Sequence, residues 1–236
     1  MTRRPSPVGP VCFDLDGCLI DSTAAITAAI VAALEHLDVA APPASELGWC
    51  VGPPLQESMR LLLAEAGEDP ARADEAVDAY RAGYATTWPM RTRVFDGIEE
   101  VLAALTTEAP RGGTGGRRLA VVTSKPLPMA ITILQGTGLD RWFSAVHGPD
   151  PDHRAEAKSQ TLQRALAQVW PGGDAAEATM VGDRSHDVAA GHACGTVTVG
   201  VTWGAGDRTE LTGAGADHVV DTPRQLREVL GAGSVT

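Results

Sequence analysis

The sequence predicts a doubly wound α/β protein: a parallel sheet covered on both faces by helices, with a small helical domain inserted into it. Three observations lead there. Six apolar runs of strand length recur along the 236-residue chain, at residues 11–15, 119–122, 143–147, 179–181, 197–201 and 217–220. They are nearly all apolar rather than alternating, the pattern of parallel strands buried on both faces. Most of those after the first are spaced by helix-length segments, whereas about a hundred residues separate the first from the second. That gap far exceeds the roughly 30 residues of a βαβ unit, so something is inserted there.

Taken in order, the first run lies in PVCFDLDGCLIDS, residues 10–22, which places two carboxylates, Asp14 and Asp16, at its end. Strand alternation would turn both to one side and Leu15 to the other. Asp21 and Ser22 offer an N-cap to a first helix over residues 23–37. Gly52, Pro53 and Pro54 break the chain before PLQESMRLLLAEAG, a second helix, and residues 71–88 read as a third. Residues 22–92 are therefore expected to form the helical insert, and residues 1–21 with 93–236 the α/β core. After Phe95-Asp96-Gly97 a helix, IEEVLAALTTEA, returns to the core, followed by APRGGTGGRR. This glycine-rich stretch lacks G-K-[ST] and precedes a strand instead of a helix, so it reads as a surface connection and not a phosphate loop.

Composition narrows the function classes. Hydrophobic residues make up 44% and charged residues 21%, ordinary for a globular protein. The net charge of -11 argues against nucleic-acid or anionic-membrane partners, which need clustered Lys and Arg. MTRRPSPVGP has no apolar signal core, and no segment approaches about 18 unbroken apolar residues, so a cytoplasmic location is expected. Cys12, Cys18, Cys50 and Cys194 form no C-x-x-C pair and read as reduced thiols.

In an open parallel sheet, ligands bind beyond the carboxyl ends of the strands. Reading the runs in order, that edge would receive Asp14 and Asp16, then Thr123, Ser124 and Lys125, then Asp183 with Asp187 four residues on. Lys158 sits early in the helix before the Asp183 strand. Each has an ordinary reading alone: Asp183 as a turn former or cap, Thr123 as a helix cap, Lys158 as a solvated lysine. Together they form a carboxylate cluster with a lysine and hydroxyls, and a divalent cation would relieve the repulsion within it.

DLDGCLIDS, VVTSKP, Lys158 and GDRSHD resemble, in order, the four motifs of the haloacid dehalogenase superfamily of phosphohydrolases. The insert resembles that family's α-helical cap, and the likeness spans nearly the whole chain. WCVGPPLQESM and VTWGAGDRTEL are similar to its phosphoglycolate phosphatase and β-phosphoglucomutase branch. The resemblance implies that Asp14 is the nucleophile forming an aspartyl phosphate and Asp16 the general acid and base. It puts Mg2+ on the Asp14 carboxylate, the Asp16 carbonyl and Asp183, with Asp187 near the ion directly or through water. Thr123 and Lys158 would hold the phosphoryl group, with the amides of Leu15, Asp16 and Ser124 completing the anion site.

The sequence departs from the family pattern in three places. Cys18 stands where threonine is usual, Ser124 where asparagine is frequent, and Lys158 follows DPDHRAE instead of belonging to a lysine-proline pair. Lys125 is accordingly a competitor for the active-site lysine, and Arg184 and His186 are secondary candidates. The implied activity is a Mg2+-dependent phosphatase for a small phosphorylated metabolite. A phosphomutase, or from another class a phospho-aspartate signalling or interaction module, is the alternative. Dehalogenation is disfavoured, because attack on carbon needs neither Asp16 nor the metal carboxylates. Arg60, Arg81, Arg91, Arg93, Trp49 and Trp88 are the insert's candidates for leaving-group contact, against a default reading of solvated arginines and core tryptophans. A monomer and a homodimer are both compatible with the sequence.

Overall fold

The computed structural model describes residues 3–107, 116–150 and 156–231. The chain divides into two compact units, Met1–Ile20 with Val94–Thr236, and Asp21–Arg93. It enters through β1 (Val11–Phe13), passes β2 (Ile20–Asp21), and forms three helices: α1 (Thr23–His36), α2 (Leu55–Glu65) and α3 (Ala73–Arg91). It leaves them by β3 (Arg93–Val94), which pairs with β2 in a two-stranded sheet.

The inserted unit has its own core, in which α3 packs against both α1 and α2 and buries Ile30, Leu34, Met59, Leu63 and Tyr84. Tyr80 and Tyr84, one helical turn apart, stack with ring centroids 5.4 Å from each other. α3 runs past the expected stop at residue 88 and through Pro89, which lies in its last turn and supplies no amide to the ladder. Ser22 occupies the N-cap position of α1 but makes no side-chain cap bond. Asp21 Oδ1 accepts from the Thr23 amide instead, at 3.3 Å. Of the two tryptophans, Trp88 is buried and Trp49 is exposed. Arg60 and Arg91 are exposed, Arg81 lies 3.9 Å from Asp78, and Arg93 pairs with Asp21 at 3.1 Å.

In the larger unit the order continues with α4 (Ile98–Thr107), β4 (Leu119–Val122), α5 (Leu127–Thr137), β5 (Ala145–His147) and α6 (Lys158–Val169). It ends with β6 (Thr179–Gly182), α7 (Ser185–Cys194), β7 (Val197–Val201), α8 (Arg208–Gly213), β8 (His218–Val220) and α9 (Pro223–Val229). The six long-range strands form one sheet of order β5-β4-β1-β6-β7-β8, every pair parallel. This is the doubly wound α/β architecture, and β1, β4, β6 and β7 are buried along their whole length, as their unbroken apolar runs require. α6 and α7 pack on each other and on β4 to β7, closing a core of Cys12, Val122, Leu162, Ala165 and Met180. The four cysteines are free. No described helix is long and apolar enough to cross a membrane. Most of the glycine-rich stretch before β4 lies outside the described residues, as does most of DPDHRAE before Lys158.

Successive crossovers run from β1 outward through β4 to β5, then return to β6 on the other side of β1 and continue outward to β8. The reversal beside β1 is the topological switch point of such a sheet, where a crevice opens beyond the strand ends.

Candidate active site

The site lies entirely within the sheet-bearing unit. Register brings its strands to a common end: Phe13 is opposite Val121 of β4 on one side and Val181 of β6 on the other. Asp14 follows Phe13 directly, while Thr123 and Asp183 stand two residues beyond their partners. Three strands thus deliver polar residues to one edge.

β1 stops at Phe13, two residues earlier than its apolar run suggests. The Asp14 amide still donates to the Val181 carbonyl at 2.9 Å, after which the chain turns, with the Leu19 and Ile20 amides both donating to the Leu15 carbonyl. Gly17 takes φ of +80° in this turn, a conformation that favours glycine. The expectation that the strand runs on to Leu15 is corrected, and strand alternation therefore does not govern Asp14 and Asp16. They go to different lysines: Asp14 Oδ2 lies 2.8 Å from Lys158 Nζ, and Asp16 Oδ2 lies 3.2 Å from Lys125 Nζ.

Lys158 also reaches Asp187 Oδ1, at 2.5 Å. Asp14, Asp183 and Asp187 are buried and each offers an oxygen within 4.8 Å of the other two. Asp16 is outside this cluster. One ammonium facing three carboxylates leaves an excess of negative charge on buried groups. Burial is the main reason the Asp14 carboxyl is pushed up to about 7, with Lys158 pulling it down and Asp187 and Asp16 pushing it further up. Burial, then the Asp187 and Asp14 charges, drive Asp183 well above the carboxylate range against the Ala205 amide and Lys158. Burial by itself would lower Lys158, but Asp14 and Asp187 override it and hold the ammonium above its ordinary value.

Backbone crowds these carboxylates. A Cβ on Gly17 would stand 2.2 Å from Asp183 Oδ2, and one on Gly204 2.3 Å from the same oxygen. The cluster fits a hard divalent cation on two grounds. Its donors are all carboxylate oxygens, and Asp183 Oδ1 is buried without a hydrogen-bond partner among the described residues, an arrangement that is costly unless a cation binds there.

Thr123 Oγ1 accepts from the Lys125 amide at 3.1 Å, and the following helix, α5, has Pro126 at its N-cap position, so Thr123 is not that helix's cap. Ser124 is half-buried beside it. The Leu15 amide, expected to face an anion, donates to Asp14 Oδ1 at 2.8 Å. Arg184 pairs with Glu210 at 3.0 Å, and His186 is exposed on α7.

Three further participants escape sequence reasoning, all in the segment after β7. The Ala205 amide donates to Asp183 Oδ2 at 2.7 Å, Trp203 Nε1 donates to the Cys18 carbonyl at 3.0 Å, and Glu210 Oε1 accepts from the Ser185 amide at 2.8 Å. The stretch VTWGAGDRTEL is visible in the sequence as a glycine-rich exit from a strand, but only folding brings it against Asp183 and the Gly17 turn.

The family model for the haloacid dehalogenase-like hydrolase matches residues 11–201. A Mycobacterium tuberculosis protein named tyrosine-protein kinase PtkA is 40% identical over 97% of this chain and 76% of its own length. A Pseudomonas aeruginosa protein named 5'-nucleotidase is 35% identical over 93% of this chain and 94% of its own. Among solved structures, a predicted phosphatase from Clostridium acetobutylicum superposes with a TM-score of 0.82 at 31% identity, covering 94% of this chain and 97% of that one.

Proposed function

The chain belongs to the haloacid dehalogenase-like hydrolase family, and on that premise we propose a Mg2+-dependent phosphoric monoester hydrolase that acts on a small phosphorylated metabolite through an aspartyl phosphate. The observation that carries this reading is the separate pairing of Asp14 with Lys158 and Asp16 with Lys125. Two carboxylates two residues apart thereby have different surroundings, as a nucleophile and a proton carrier need.

An Asp14 carboxylate oxygen attacks phosphorus, and the bond from phosphorus to the leaving oxygen breaks as that oxygen takes a proton from Asp16. Asp16, now ionised, takes a proton from water as the water oxygen attacks the phosphorus, which frees Asp14 and inorganic phosphate. Lys158 offsets charge on Asp14 and the phosphoryl group, and Thr123 and Ser124 bind phosphoryl oxygens. Asp14, Asp183, Asp187 and the Asp16 carbonyl would hold Mg2+, which when bound supplies the positive charge that keeps the carboxylates ionised and offsets that of the phosphoryl oxygens. The helical unit Asp21–Arg93 is read as the family's cap.

Asp14→Asn is expected to cut hydrolysis of p-nitrophenyl phosphate by roughly a thousandfold or more while the circular dichroism spectrum stays that of the parent. Near-parental turnover overturns the reading. EDTA should stop hydrolysis and added Mg2+ restore it. A panel of phosphoglycolate, sugar phosphates and nucleoside monophosphates identifies the leaving group. Interconversion of sugar phosphates in that panel would favour a mutase. A tyrosine peptide with ATP tests the activity named for the mycobacterial relative.

A further inference from the structure

α7 begins with two amides held by carboxylates of separate origin. The Arg184 amide donates to Asp187 Oδ2 at 3.0 Å, within the same turn. The Ser185 amide donates to Glu210 Oε1 at 2.8 Å, and Glu210 stands on α8, 25 residues further along the chain. Arg184 Nε donates to both oxygens of Glu210, at 3.0 and 3.2 Å. Glu210 is itself placed, since its amide donates to Asp207 Oδ1 at 2.7 Å at the start of α8.

These bonds bear on the carboxylate cluster through Asp187. That side chain uses Oδ2 on the Arg184 amide, which leaves Oδ1 directed at Lys158. Where Oδ1 lies therefore depends on the backbone of residues 184 and 185, and Glu210 grips that backbone from outside the helix. The same carboxylate engages the guanidinium of Arg184, the residue next in sequence to Asp183. Both contacts hold the segment that carries Asp183 and Asp187.

We propose that Glu210 is a positioning residue for the metal-binding carboxylates, acting through Arg184 and Ser185 to hold Asp187; the inference rests on the Mg2+ reading given above. The test is titration calorimetry of Mg2+ into the full-length, metal-free chain. Glu210→Ala is expected to weaken Mg2+ binding about tenfold or more, the range found when an outer partner of a metal ligand is removed. Glu210→Gln keeps an oxygen for the Ser185 amide and loses the charge and one of the two oxygens that face Arg184 Nε, so it should recover most of the affinity, ending about threefold below the parent.

Parental affinity in Glu210→Ala overturns the proposal, and so does a Gln variant no better than the Ala variant. If Glu210→Ala does not fold, the Gln variant decides alone: a reduced affinity supports the proposal and parental affinity overturns it. Failure of the parent chain to bind Mg2+ would overturn the metal reading and this inference with it. A parent that binds and an Ala variant that binds equally overturn this inference only.

Discussion

Asp183 carries a local conflict: a buried carboxylate with one oxygen unpartnered among the described residues, facing two others. Its identity was readable from GDRSHD, because an aspartate ending an apolar run is a short-range signal. Its surroundings were not readable, because its amide partner, Ala205, is 22 residues away. Replacing the charge should therefore divide folding from binding. Asp183→Asn is expected to raise the melting temperature of the metal-free protein near neutral pH and to abolish the further rise on adding Mg2+, both read by scanning fluorimetry. The pH dependence follows from Asp14, raised to about 7 by burial. A carboxyl raised on folding contributes stability that is complete below its unfolded value, about 3.8, and is lost as pH climbs through about 7. Mg2+ must displace that proton, so its affinity should fall as pH drops below about 7, roughly tenfold per pH unit for each proton released. Calorimetry across that range checks the sign, and a flat profile contradicts it.

At the scale of elements, the decisive event is the early end of β1. An apolar run at residues 11–15 says strand, yet the strand closes at Phe13 because Gly17 and the bonds to the Leu15 carbonyl turn the chain. Periodicity cannot see such a turn, which is why the strand was expected to run on to Leu15. The turn is braced from β7's exit loop, where Trp203 Nε1 donates to the Cys18 carbonyl. Trp203→Phe keeps most of the ring and removes the donor, at a net cost of about 1 kcal/mol for one hydrogen bond. Loosening the chain that carries both aspartates is expected to lower kcat about three- to tenfold with KM changed less, because misplacement weighs on the reacting geometry. Steady-state kinetics on p-nitrophenyl phosphate test this, and an unchanged kcat would remove Trp203 from the site's support.

At the scale of the whole molecule, the strand ends opposite the site are tied together by Arg117. Its buried guanidinium donates to the Gly9 carbonyl before β1 at 2.7 Å and to the Leu230 carbonyl after α9 at 2.9 Å, and burial draws its pKa down to about 10. Arg117→Ala is expected to cost about 2–4 kcal/mol in urea unfolding through lost charged hydrogen bonds and packing. Mg2+ affinity should remain parental, since the residue lies at the far edge of the sheet; a large loss of affinity would contradict that separation. Nothing local in RRLAVV marks Arg117 as buried, for its partners are 108 and 113 residues away. By contrast, the parallel sheet, the helical insert and the order of the polar residues along the edge were determined by the sequence itself. Apolar runs, glycine and proline breaks and short motifs depend on neighbours a few residues apart, and local sterics and burial act on that range. Only the tertiary structure decided which lysine meets which aspartate, that Asp183 leans on Ala205, and that Glu210 grips the start of α7. Those pairings join strand ends and loops far apart in the chain, so their distances exist only after the sheet has brought the segments together.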